Sequence, residues 1–311
     1  MDRIAILVAL LGCTSATAQD DLLDLLGEGA TGPVYTNASF KTTRVINGHS
    51  LENTAHGVLD MRISHRFGFL SGGVNEFFGL DNADVRLGLD YGVSDHLMVG
   101  IGRSGFQKTV DGFAKYKLLR QCDDGCVMPI TLAVVAASSI TTARATEVSW
   151  YAPGREDHFI HRLSYSWQLI AGRKCSEGFT VQVMPGVVHR NLVKTEADPN
   201  DLINVGVGAR AKLTKRLAVN GEYFHVFRDP IPGYTNSLSV GLDIETGGHV
   251  FQLHATNSTG MFERAFITET AGVWGNGDIH FGFNISRVFT VHVPKRPATG
   301  SAPDPSDLPR R

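Results

Sequence analysis

Four sets of residues in this 311-residue chain are of types that do chemistry. His254 and Ser258 stand in HATNS, and His49-Ser50 is a second such pair nearer the N-terminus. A serine beside a histidine is the working part of a hydrolase, here one acting on lipid, provided that the two are within hydrogen-bond reach and a third group orients the imidazole. Residues four apart on one extended strand are about 13 Å apart at the backbone, so the spacing assembles no pair and no catalytic residue is assigned. His254 and His280 would hold a metal ion only with a third ligand, and none is evident. In HRNLVKTEADPND the acids Glu196, Asp198 and Asp201 would hold a divalent cation, or bridge to lipopolysaccharide through one, but their spacing departs from the calcium-loop pattern.

The fourth set is a ladder. Asp60, Arg62, Arg66, Asp84, Arg86, Asp90, Asp111, Lys115, Lys117, Arg162, Arg210, Lys212, Glu222, Asp243 and Glu245 share one parity within strand-like segments, with His254 and His280 among them. Side chains of a strand alternate between two faces, so these residues would line one side of a sheet. Lining an enclosed space, they would make a narrow polar conduit or a binding cavity for a small hydrophilic solute. The two signs nearly balance, which argues against a wide, strongly ion-selective pore. The competing reading is that the charges pair across the space and fill it, since buried charges are tolerated when partnered.

Positioning this ladder takes strands. From about residue 58 to residue 291 the apolarity alternates in about twelve segments, from VLDMRISHRF and ADVRLGLDYGV to HVFQLHATN and DIHFGFNISRVF, with no helical periodicity between them. The connections alternate too: GVSD, RKCSEG, TKR and ETGG are short, whereas SGGVNEFFGLD, FRDPIPGYTN and the run NSTGMFERAFITETAGVWGNG are long. RSGFQKT and the turn holding Cys122 and Cys126 break the rule. An even number of strands, with short turns on one side and long loops on the other, predicts an all-β fold. Its form is a transmembrane antiparallel up-and-down β-barrel with periplasmic turns and external loops. A soluble sandwich also alternates. Glycines interleaved with long charged residues, and Phe67, Tyr91, Tyr116, Tyr165, Tyr223 and Phe289 toward strand ends, fit a crowded lumen and an interfacial aromatic girdle instead. Leu59, Met61 and Ile63 would then face lipid.

The rest of the chain sets the compartment. Residues 1–18 read as a secretory signal, with Arg3, an apolar run from Ile4 to Leu11, and Ala16-Thr17-Ala18 ahead of Gln19. Cys13 in LLGC is a second-ranked lipidation site. A net charge of -2 leaves no electrostatic footprint for nucleic acid. Cys122, Cys126 and Cys175 remain after the signal; the first two bracket QCDDGC and predict a small-loop disulfide. No spacing suits zinc or haem, and no cofactor is expected. Residues 19–57 are too polar for a lipid-facing strand and would plug the lumen or lie beneath it. Residues 292–311 are Pro-rich and predict a disordered tail. The surroundings implied are outer-membrane lipid and lipopolysaccharide, with a periplasmic protein partner possible through the N-terminal segment and tail.

Longer stretches carry a resemblance. RVINGHSLENTAHGVLDMRISHRFG, EFFGLDNADVRLGLDYGVSD, VGIGRSGFQKTVDGFAKYKLLRQ, YTNSLSVGLDIETGGHVFQLHATNSTGM and GNGDIHFGFNISRVF resemble an uncharacterised family of Gram-negative outer-membrane β-barrels, domain of unknown function 5777. They cover most of residues 37 to 290. The resemblance implies a barrel and supplies no activity. The CDDGC turn and the tail beyond Phe289 depart from its usual pattern.

Overall fold

The computed structural model describes residues 33–148, 156–195, 198–228, 233–246 and 249–293. The signal, the stretch ahead of Pro33, Glu196 and the tail beyond Val293 lie outside the described residues. In chain order the strands are β1 (Val34–Tyr35), β2 (Val58–Phe69), β3 (Ala83–Gly92), β4 (Leu97–Ser104), β5 (Thr109–Leu119), β6 (Cys122–Asp124), β7 (Thr131–Thr141), β8 (Leu163–Ser176), β9 (Phe179–Arg190), β10 (Asp201–Lys212), β11 (Leu217–Val226), β12 (Ser237–Thr246), β13 (His249–Thr256) and β14 (His280–Thr290). All but β1 and β6 pair with their sequence neighbours, and β14 pairs with β2, which closes a twelve-strand antiparallel barrel. Closure leaves no unpaired strand edge, which hydrocarbon forbids. The strands are those that the alternation predicts.

Parity explains the wall. In β2 the side chains of Asp60, Arg62, Ser64 and Arg66 are buried inside the barrel, while Leu59, Met61 and Ile63 point out. Long connections on the external side (70–82, 142–162, 191–200, 227–236, 257–279) alternate with short periplasmic ones (93–96, 177–178, 213–216, 247–248). Both exceptions have a structural reason. The 105–108 connection is a tight turn with Gln107 and Lys108 at positive φ, and Phe106 packs on Phe262 of the 257–279 loop. The 120–130 turn is long because it carries β6, which pairs with β1 outside the barrel and is closed by the Cys122–Cys126 disulfide.

Two features were not expected. The β8–β9 ladder skips from the Gln168↔Gly186 pair to Ala171↔Val183, and Pro185 stands in the skipped stretch. A proline has no N–H to donate, so the wall lacks a ladder bond there. The second concerns the interior. Ala133, Val135, Ile170, Met184, Val188, Leu202, Phe224 and Val226 also point inward, and they bury Phe40, Val45 and Leu51 of the N-terminal segment with Phe266 and Ile267 of the 257–279 loop. The buried charges of the lumen are therefore concentrated along β2–β5 and β12–β14, whereas the inner face of β7–β11 mixes these apolar side chains with neutral polar ones such as Ser166, Gln168, Gln182, Asn204 and Asn220 and with the charges Arg190, Arg210 and Glu222. The charge ladder expected from the sequence thus shares the lumen with an apolar cluster that the alternation did not reveal.

Candidate functional site

Two stretches of the chain enter the barrel, one from each end. From the periplasmic side, residues 43–50 form a tight hairpin closed by Val45 N–H to the Gly48 carbonyl (2.8 Å) and Ser50 N–H to the Thr43 carbonyl (3.0 Å). The tip is pressed against the wall: a Cβ on Gly48 would stand 2.7 Å from the Phe224 ring. Glu222 receives it, accepting the N–H groups of Ile46 (3.2 Å), Asn47 (2.8 Å) and Gly48 (3.0 Å). Such charge-assisted bonds are worth about 1.5–3 kcal/mol each, roughly twice a neutral one. The hairpin carbonyls are met as fully. Gln252 donates to Val45 (2.6 Å), Asn284 to Ile46 (3.2 Å), Gln182 to His49 (2.6 Å) and the Lys115 ammonium to Ser50 (2.8 Å). Arg66 donates to the Asn47 side-chain carbonyl (2.7 Å). A buried backbone group without a partner is costly, so this matching fixes the hairpin in one place.

From the external side the 257–279 loop turns inward. Its entry is pinned by Asn257, whose amide donates to the Gly272 and Asn236 carbonyls (2.8 and 2.9 Å) and accepts from Leu238 N–H (2.8 Å). The short helix Glu263–Thr268 that follows is buried at all six residues. Arg264 fastens it to Glu269 (3.0 Å) and Gln107 (2.6 Å), and Phe266 meets Phe224 edge to face at 5.1 Å.

The two stretches touch at mid-lumen. Arg44 of the hairpin donates to the Glu263 carboxylate at 2.6 Å, and His49 Nε2 stands 3.2 Å from the same oxygen. All three side chains are buried. Burial first, and then the Arg44 charge, push the His49 imidazole down to about 3, so it is neutral and Arg44 is the cation bonded to Glu263.

Most of the ladder lies around this junction. Arg86 pairs with Asp111 through Nε (2.9 Å), Thr43 links Arg62 (2.8 Å) to Asp90 (2.9 Å), and Gln252 donates to Asp243 (2.7 Å). Toward the periplasm Asp60 accepts from Ser286, Lys117 faces Glu52 at 3.8 Å, and Glu245 pairs with Lys41 at 2.7 Å. Arg210 is buried within electrostatic reach of Asp243. Three members stand apart. Arg162 precedes β8 on the external rim, held by Asp157 and the Thr141 and Ala143 carbonyls; Lys212 is exposed at the periplasmic end of β10; Asp84 is half-buried at the external end of β3. The inward placement expected of Arg162 and Lys212 is thus corrected: strand parity does not govern residues beyond a strand or at its open end.

The other candidates are not brought together. The Ser258 hydroxyl donates to the Gly260 carbonyl, the Ser50 hydroxyl to the Thr42 carbonyl, and neither meets a histidine. His280 lies between the Phe67 carbonyl (2.6 Å) and the Thr259 hydroxyl (2.8 Å), while the His254 ring nitrogens meet no hydrogen-bonding side chain among the described residues. Asp201 pairs locally with His189 at 2.8 Å, and Asp198 caps Thr195 N–H. Among the described residues no three acids, histidines or cysteines are placed to hold a metal ion. Sequence reasoning missed Arg44 and Glu263. The signal for the latter was Phe262, Phe266 and Ile267 at helical spacing in a loop read as external.

A closed barrel that is apolar outside and lined by buried charges within defines an outer-membrane β-barrel. The chain belongs to the family described as a membrane bound beta barrel domain, domain of unknown function 5777, whose model matches residues 40–289 and so takes in the hairpin with the wall. No curated protein matches it. Among solved structures it is similar to the NanC porin (9% identity, TM-score 0.45, 75% of this chain and 98% of that one). It is also similar to the KdgM porin (8%, 0.44, 75% and 99%) and to the COG4313 outer membrane channel from Pseudomonas putida F1 (11%, 0.45, 76% and 97%). At these identities the likeness is one of fold alone.

Proposed function

We propose that this barrel is a channel for small hydrophilic solutes, held shut by its own chain, with the hairpin and the infolded loop as its gate. The observation that carries the reading is the Arg44–Glu263 junction. Voids of only about 10 Å³ adjoin it, yet what closes the lumen there is two separate stretches bonded to the wall and to each other. Below it the lumen widens into a cavity of about 450 Å³ at the periplasmic mouth. A filled lumen without a gate has no need of that vestibule. Single-channel recording in planar bilayers tests the reading on heat-modifiable, folded protein. The full chain should be silent, deletion of residues 33–57 should give discrete steps, and further shortening of the loop across 261–268 should enlarge them. Two folded but silent deletion variants would sink the channel reading.

A second reading, a docking barrel for a periplasmic protein, is favoured by the β1–β6 sheet, where Val34 is exposed, and by the turn after β6, where Val127 is 97% exposed. Silent deletion variants would move the weight to it.

A further inference from the structure

We infer that the periplasmic vestibule is a binding pocket for a small organic cation with an apolar body. The inference deepens the channel reading, on which it rests for its meaning in transport, by naming the class of solute. The cavity of about 450 Å³ lies between the N-terminal segment and the wall formed by β2 and β12–β14. That size suits a ligand of one ring and a short chain, and pockets that bind such ligands combine apolar walls with a few convergent polar groups. Phe40, Val58, Val250 and Val288 supply the apolar side.

Charge decides the sign of the ligand. Three acids, Glu52, Asp60 and Glu245, line the cavity with one lysine, Lys41, which Glu245 already holds at 2.7 Å, and one histidine, His249. Asp60 is the anchor. The residue is 3% exposed; Oδ1 accepts the Ser286 hydroxyl, but Oδ2 takes no hydrogen bond among the described residues. Arg62 stands 3.7 Å from that oxygen and gives its hydrogen bond to Thr43 instead. Glu52 uses Oε1 for Ser39 N–H (2.7 Å), and its Oε2 is 3.8 Å from Lys117, outside hydrogen-bond reach. The two oxygens stand in ion pairs with Arg62 and Lys117 that are too long for a hydrogen bond, and a carboxylate so placed gains a charge-assisted hydrogen bond from an N–H donor that carries a positive charge. The acids do not converge as metal ligands do, which points to an ammonium group rather than a metal ion.

The test is calorimetric titration of the full mature chain, refolded in detergent micelles, with 2-phenylethylammonium and with its carboxylate counterpart 3-phenylpropionate, each over a protein-free micelle blank. The ammonium should bind saturably and at least about tenfold tighter than the carboxylate. Asp60→Asn and Glu245→Gln should each weaken it by about fivefold or more, whereas Glu147→Gln on an exposed external loop should leave it unchanged. Glu245 is partly exposed at the rim, so its variant keeps the test alive if Asp60→Asn does not fold. Equal binding of both probes, no saturable binding, or indifference of both folded vestibule variants would overturn the inference. The titration reads the closed protein, so a pocket without conduction fails the channel alone, and conduction without ammonium binding fails the pocket alone.

Discussion

At the scale of single residues, the lumen is organised around two carboxylates that sit on different elements and face different partners. Glu222 belongs to the wall and holds backbone; Glu263 belongs to the infolded loop and holds Arg44. Both are buried, and the second is the more exposed to loss because its direct hydrogen-bonded cation is the one side chain of Arg44. Removing Arg44 leaves Glu263 ionised in the interior, which costs about 3–5 kcal/mol. Arg44→Ala should therefore lower stability by that amount in urea unfolding followed by heat-modifiability. Arg44→Ala with Glu263→Gln should recover a large part of it. A double variant as unstable as the single one would mean that the arginine acts by packing on Phe113, whose ring centroid is 5.0 Å away, and not by charge.

At the scale of elements, alternation made nearly every barrel strand legible, because a wall with lipid on one side and side chains on the other imposes period two on the sequence. The ladder was legible for the same reason: Asp60, Arg62, Arg66 and Arg86 are inside because their neighbours are outside. What was hidden is the inner face of β7–β11. Ala133, Val135 and Ile170 look like any apolar strand residue, and only the segments packed on them reveal that both faces are covered. The infolded loop was hidden because a six-residue helix gives too short a period to read against a polar background. Pro185 is plain in the sequence and argues against a central strand, yet β9 is one, and the wall gives up a pairing there. Pro185→Val restores a donor to the β8–β9 ladder and should stabilise the barrel by about 0.5–1.5 kcal/mol if the strand closes up. Amide exchange around Leu169 and Ile170 should slow with it; unchanged exchange would show that the gap is set by something other than the missing N–H.

At the scale of the whole molecule, the barrel is a rigid container and everything that distinguishes it from a simple pore is chain that enters it. The periplasmic entry has one further property. Residues 38–56 are anchored at both ends, by β2 on one side and on the other by β1, which pairs with the disulfide-closed β6 and is reinforced by Thr36 donating to Asp123 at 2.6 Å. The hairpin is therefore a strap and not a ball on a free chain. If it leaves the lumen it stays within a loop's length of its seat, at an effective concentration in the millimolar range, so reseating is a unimolecular event that dilution cannot slow. Loosening one anchor should change only the time course. In a channel opened by mild denaturant, Cys122→Ser with Cys126→Ser should lengthen the open intervals in single-channel records while leaving the step size unchanged, so that the little sheet outside the wall acts as a clock.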